Sequence, residues 1–169
     1  YLNPQSPYAQ IKYDEEKFLR KTNLKYISFR LGTIAGISEG MRFHTAVNKF
    51  CLNAIVGNEI PVWKTALNQV RPYLSLSDAF NAVNFVIKKD IFDRQIYNLV
   101  TSNLTVKNLI SKIRQSNRKR LNVKLVNSKI MNQLSYRVSR KKFENKGFKF
   151  KGSISKDIDQ TINLFKYII

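Results

Sequence analysis

The sequence predicts an α/β fold, and two observations predict it. Short stretches of branched and aromatic residues alternate with longer segments whose apolar residues recur every three or four positions. The first pattern belongs to strands and the second to helices, and their alternation packs as sheet covered by helix. With 43% hydrophobic and 12% aromatic residues, the 169-residue chain also carries enough apolar material for one core of ordinary domain size.

Ser6-Pro7 opens the first helix with a hydroxyl N-cap and a proline at the first helical position. Tyr8, Ile11, Glu15, Phe18 and Leu19 share one face of it, and Asn23 offers a stop. Leu24 to Arg30 is strand-like, and a loop of small residues runs from Gly32 to Gly40. Val47, Phe50, Cys51, Ala54 and Ile55 form a helical stripe closed by Gly57-Asn58, which makes Cys51 a core residue. Ile60 to Trp63 reads as a short strand, with Trp63 expected to pack, and Lys64 to Gln69 as a loop. Arg71 to Leu76 reads as a strand ending at Asp78, a candidate cap for a helix carrying Phe80, Val83, Val86 and Ile87. Gln95 to Val100 is the next strand, and Val106, Leu109, Ile110 and Ile113 mark the next helix. Leu121 to Val126 is a further strand, followed by a basic, irregular stretch from Ser139 to Phe150 around Gly147. The last helix begins near Ser153. Asp157 and Asp159 suit its N-terminal dipole, and Ile158, Ile162 and Phe165 supply its buried face. No repeat or low-complexity linker divides the chain, and the elements lie too close together for two independent domains.

Lys+Arg outnumber Asp+Glu by 30 to 11, a formal charge of +19 that on its face suits a polyanionic partner. The basic residues are mostly lysines scattered beside Asn and Ile. The densest run, Arg118-Lys119-Arg120, and the later Arg137, Arg140, Lys141 and Lys142 accompany no recognised binding module. They read as solvated surface rather than as a nucleic-acid site. No run of about eighteen apolar residues is present to span a bilayer. The single cysteine, Cys51, cannot form an intrachain disulfide, and with His44 as the one histidine no soft-ligand metal cluster can be assembled. The expectation is a soluble, cytoplasmic, metal-free protein.

Tyr8 and Lys12 stand four apart at the head of the first helix, so their side chains lie on one face. A phenol ordinarily titrates at about 10, and a neighbouring ammonium favours the phenolate. Such a pair brings proton abstraction from a hydroxyl within reach of neutral pH. On spacing alone, a packed ring beside an exposed amine is the commoner meaning of this pattern. Gly32, Thr33 and Gly36 after the following strand fit either a ligand-contacting loop or a tight connection that needs permissive glycines. His44 at a helix start is given no role.

Three segments change the weight of these signals: Ser6-Pro7-Tyr8-Ala9-Gln10-Ile11-Lys12, Arg30-Leu31-Gly32-Thr33-Ile34-Ala35-Gly36, and Val70-Arg71-Pro72-Tyr73-Leu74-Ser75-Leu76-Ser77-Asp78. In order and spacing they resemble the extended short-chain dehydrogenase/reductases, the NAD-dependent epimerase/dehydratase family that acts on nucleotide-sugars. The resemblance continues through Asn98, the helix start Leu104-Thr105-Val106, and Gly147-Phe148.

That resemblance implies the C-terminal part of a Rossmann-like parallel sheet plus a smaller α/β substrate-binding region. Residues 1–36 would be the catalytic helix and following strand. Residues 37–169 would be mainly the substrate region, with Rossmann-like elements returning near 71–100. The glycine-rich N-terminal half is expected to be missing, because no Gly-x-x-Gly-x-x-Gly occurs among the six glycines. The family's Ser/Thr partner of the tyrosine also lies upstream of it. Tyr8 is implied to transfer the proton, with Lys12 holding the nicotinamide ribose and lowering the tyrosine pKa. Thr33 and Ile34 are implied to meet the nicotinamide, largely through backbone groups. Ser38, Met41, Arg42, Asn48 and Arg71 are implied to face the sugar and diphosphate, with Arg71 presenting a guanidinium suited to the diphosphate. NAD or NADP is the implied cofactor, a nucleoside-diphosphate sugar the implied substrate, and a homodimer through the Tyr8 helix the implied assembly. The implied activity is epimerisation or dehydration through transient hydride transfer, with the chain inactive in isolation. The rival reading is a catalytically vestigial relative that binds RNA or a protein partner through its basic surface.

Overall fold

The computed structural model describes residues 4–118, 120–127 and 135–168; Lys119 of the densest basic run lies outside them. Its elements in chain order are α1 (Pro7–Lys21), β1 (Ser28–Leu31), β2 (Thr33–Ala35), α2 (Ala46–Val56), β3 (Ile60–Trp63), β4 (Val70–Ser75), α3 (Leu76–Lys89), β5 (Ile96–Leu99), β6 (Ser102–Thr105), α4 (Val106–Asn117), β7 (Val123–Val126), α5 (Lys141–Glu144) and α6 (Ile154–Ile168). The architecture is the expected α/β one, with parallel pairing predominant. β1 lies parallel to β5, with Ser28 opposite Ile96. β2 lies parallel to β4, β4 runs antiparallel to β6, and β3 lies parallel to β7. No helix among the described residues is long and apolar enough to cross a membrane.

β1 and β2 are one extended run that changes partners at Gly32. A Cβ on Gly32 would stand 3.1 Å from backbone atoms of Pro72 and Tyr73, so the change of sheet depends on a residue without a side chain. One core gathers Val47, Cys51, Ile60, Tyr73, Leu109, Ile113, Ile158 and Ile162 between α2, α4, α6 and the strands. Burial pushes the Cys51 thiol up to about 12, which suits the core role read from its helical stripe. A second core joins Leu74, Val86, Tyr97 and Leu99 to Phe143 and Phe148. Phe143 sits at its centre, with ring centroids 5.5 Å from Phe29, 5.3 Å from Tyr97 and 4.9 Å from Phe148.

α1 begins as its sequence predicts, with the Ser6 hydroxyl accepting from the Ala9 N–H at 3.1 Å and Pro7 in the first turn. Its apolar residues do not enter a core, since Tyr8, Ile11 and Phe18 are exposed. Its buried residue is Glu16, 9% exposed. The Glu16 carboxylate receives Arg30 of β1 through both nitrogens of the fork, at 2.7 and 2.5 Å. Arg94 holds the other end of the helix by donating to the carbonyls of Arg20, at 3.0 Å, and Thr22.

Other expectations are corrected. β2 lies inside the expected loop, and the largely polar β6 carries no alternating pattern that would announce a strand. On α3 the buried residues are Asp78, Ala82 and Val86, whereas Phe80, Val83 and Ile87 face outward. Trp63 is 44% exposed rather than packed. The stretch from Ser139 to Phe150 contains α5, and three of its cations are bonded into the fold. Arg140 donates to the carbonyls of Val100 and Thr101, Lys142 to that of Ile96, and Lys146 pairs with Asp93 at 2.9 Å.

Asp78 does not cap α3, whose N-cap position is Ser75. It accepts instead from the backbone N–H groups of Lys151 and Gly152, at 2.9 and 2.8 Å, and from the Thr101 hydroxyl at 2.6 Å. A Cβ on Gly152 would lie 2.5 Å from the Ser75 Cβ and 2.6 Å from a carboxylate oxygen of Asp78. Gly152→Ala should therefore destabilise the chain by about 1–3 kcal/mol through overpacking. Thermal melting checks this, and a variant that melts with the parent would show that the turn has room to spare.

Candidate active site

Tyr8 projects from the first turn of α1 and is 71% exposed. It lines three cavities, the last of them against Ser28, Phe29 and Leu31 of β1. The first, of about 530 Å³, is walled by Gly32, Thr33 and Ile34 at the β1–β2 junction, by Ser38, Met41 and Arg42 on the following loop, and by Asn48 of α2. The second, of about 370 Å³, is walled by Lys12, Tyr13, Glu16, Arg30 and Tyr136.

Local sequence explains how the first cavity is shaped. The chain leaves β2 at Gly36, whose φ of +132° strains any L side chain and whose added Cβ would stand 2.8 Å from that of Leu76. Beyond it the carbonyl of Arg42 gathers the loop, accepting from the Thr45 hydroxyl at 2.9 Å and from the Asn48 amide at 3.2 Å. Asn48 is 4% exposed, and its side-chain oxygen has no hydrogen-bond partner. A buried acceptor left open in a cavity wall is a place for a ligand donor.

In the second cavity the Lys12 ammonium lies 5.8 Å from the centre of the Tyr8 ring. It is also bonded to both carboxylate oxygens of Glu15, at 3.1 and 2.9 Å, and that bond chiefly raises its pKa. A cation therefore stands beside the phenol at neutral pH. Tyr8, Lys12 and Glu16 occupy positions i, i+4 and i+8 of one helical ridge, so the bond from Glu16 to Arg30 sets the azimuth of all three.

Of the sequence-predicted residues, Tyr8, Thr33, Ile34, Ser38, Met41, Arg42 and Asn48 meet at the first cavity, while Lys12 joins Tyr8 at the second. Arg71 lines neither. Its guanidinium donates to Gln69 at 3.1 Å and lies 5.6 Å from the ring of Tyr136, through which it adjoins the second cavity. Tyr136 is anchored on β4 by its N–H to the carbonyl of Val70 at 3.2 Å. Sequence reasoning missed Glu16 and Tyr136. The i, i+4, i+8 ladder was available to find the first, whereas nothing local announces a residue that arrives from far along the chain.

Behind the Gly36 turn lies a buried acid, Asp157, 7% exposed. Its pKa is pushed up to about 6, chiefly by burial and further by the charge of Asp78, against the opposing hydrogen bond from Ser75. One of its carboxylate oxygens has no partner.

A family model described as the NAD dependent epimerase/dehydratase family matches residues 1–99. No curated protein sequence matches the chain. Among solved structures, UDP-glucuronic acid 4-epimerase from Bacillus cereus, in complex with UDP-glucuronic acid and NAD, superposes with a TM-score of 0.86 at 15% identity, over 100% of this chain and 55% of that one. UDP-glucose 4-epimerase from Thermus thermophilus, in complex with NAD, gives 0.83 at 19% identity, over 99% and 56%. The dTDP-glucose 4,6-dehydratase from Bacillus anthracis, in complex with NAD, gives 0.81 at 19% identity, over 99% and 54%. The chain thus spans little more than half the length of these structures, and at such identities the likeness is one of fold.

The buried acid gives the site's scaffold a testable pH dependence. A carboxyl whose folded pKa lies above its ordinary 3.8 favours the fold when protonated, and that contribution is lost as pH rises toward about 6. Asp157→Asn should therefore raise the melting temperature relative to the parent at about pH 8 and bring no such gain at about pH 4. An equal shift at both pH values would mean that Asp157 ionises freely in the fold.

Proposed function

The chain belongs to the NAD dependent epimerase/dehydratase family, and from that premise we propose that it forms the proton-transfer and substrate-binding part of an enzyme that epimerises or dehydrates a nucleoside-diphosphate sugar with NAD or NADP. The observation that carries this reading is the position of Tyr8, exposed on the shared wall of two cavities with the Lys12 ammonium beside it. Solved structures of the same fold bound to NAD, and in one case to UDP-glucuronic acid, support it.

In this reading Tyr8 accepts the proton of a sugar hydroxyl as its carbon is oxidised and returns it when the carbon is reduced. Lys12 favours the phenolate and bonds the nicotinamide ribose, exchanging part of its contact with Glu15 for that role. Thr33 and Ile34 offer backbone groups to the nicotinamide. The chemistry a nicotinamide supplies when bound is reversible hydride transfer. The residues fit that end of a dinucleotide because the open β1–β2 junction, the exposed phenol and the ammonium converge on adjoining cavities. No glycine-rich turn for the pyrophosphate stands among the described residues.

Asn48 accepts a sugar hydroxyl at its open oxygen, with Ser38 and Met41 beside it, while Arg42 and Arg71 pair with the diphosphate. Residues 1–36 act as the catalytic helix and strand, and residues 37–169 mainly as the substrate region. The exposed Ile11 and Phe18 of α1 are assigned to a homodimer contact. A cytoplasmic location is part of the same reading, in keeping with one buried, unpaired cysteine.

Tyr8→Phe removes only the ionisable oxygen. In the catalytically competent protein it should leave folding intact while turnover with a nucleoside-diphosphate sugar falls by about two to four decades. Steady-state kinetics beside a melting curve decides this, and near-parental turnover would remove Tyr8 from the chemistry.

A further inference from the structure

A separate cavity, of about 590 Å³, lies between α4 and α6, away from the Tyr8 cavities. Every residue that lines it is polar. Lys112 and Arg118 come from α4 and its C-cap, and Lys166 from the last turn of α6. Lys112 donates to Ser155 at 2.8 Å, and the amides of Gln115 and Asn163 add further hydrogen-bonding groups. Among the described residues no carboxylate stands within ion-pair distance of these three cations. The one acid in the wall, Asp159, leaves an excess of positive charge.

Helix dipoles account for part of this pattern, since Arg118 and Lys166 stand at helix C-termini, where cations are favoured. They do not account for Lys112, which lies in the middle of α4 and reaches across to the first turn of α6. The three cations edge one concavity instead of following a track. Like charges held around a common space repel, and a multiply charged anion placed there relieves that repulsion. The volume suits a small ligand.

We propose that the groove between α4 and α6 binds a compact polyphosphate group, either free or as the phosphate tail of a nucleotide. Lys112, Arg118 and Lys166 carry the charge recognition, with Ser155, Gln115 and Asn163 as hydrogen-bond partners. The site does not depend on the catalytic reading of Tyr8, and either can fail without the other.

Calorimetric titration of the full chain with sodium tripolyphosphate tests it. One saturable site per chain is expected. Combining Arg118→Gln with Lys166→Gln should weaken binding by at least about tenfold, whereas Lys25→Gln, at an exposed lysine that lines neither this groove nor the Tyr8 cavities, should leave it unchanged. Asp159→Asn removes the opposing charge and should tighten binding a few-fold, a gain that no folding defect can imitate. A parallel titration with ATP separates the sources, since equal affinity points to the phosphate chain alone and tighter binding to a nucleotide tail. The proposal is overturned by the absence of a saturable site, or by affinity indifferent to the paired substitution. It is equally overturned if single-stranded RNA binds more tightly than tripolyphosphate with a salt dependence steep enough for many phosphates.

Discussion

One ion pair, Glu16 to Arg30, bears on where Tyr8 and Lys12 can stand. α1 makes few contacts with the other elements, and its apolar residues face outward, so packing does little to seat it. A bidentate bond between a buried carboxylate and a strand residue takes over that task along the ridge of Tyr8 and Lys12, while Arg94 holds the far end of the helix. Such a bond specifies direction as well as distance, because the planar guanidinium accepts a carboxylate in few orientations. Tyr8 and Lys12 lie on the same ridge as Glu16, so the phenol and the ammonium inherit their placement from it. Breaking the pair from one side would leave a charge stranded at the base of the helix, a costlier state than having no pair at all.

The remaining geometry is a matter of where backbone must touch backbone. Gly32 lets one strand serve two sheets, and Gly36 turns it away over Asp157. Gly152 lets the turn before α6 close on Asp78. Each of these glycines is required by a close approach, and at Gly36 also by a positive φ. Asp78 and Asp157 form a buried acidic pair behind the site. One carboxylate satisfies backbone donors, and burial pushes the pKa of the other up to about 6.

The α/β class, α1 with its hydroxyl cap, the Cys51 stripe and β3 were legible in the sequence because each is written in local periodicity or cap chemistry. β6 was not legible, because its pairing with β4 comes from tertiary context and not from its own largely polar residues. The facing of α3 was misjudged for a related reason. Periodicity shows that an apolar face exists but does not say whether anything within the chain covers it. Most of the candidate site was legible as a list, since seven of its residues line one cavity. What held it together was less so. Glu16 was hidden beside the more conspicuous Glu15, and Tyr136 reaches Arg71 across a distance in sequence that no local pattern spans.

The most direct test of this account is hydrogen–deuterium exchange on the chain with Glu16→Gln, compared with the parent. If the ion pair seats α1, its amides should exchange faster in the variant while those of β1, β5 and α6 keep their protection. Unchanged exchange across α1 would show that something other than Glu16 and Arg30 holds Tyr8 and Lys12 in place, and would contradict the account at its foundation.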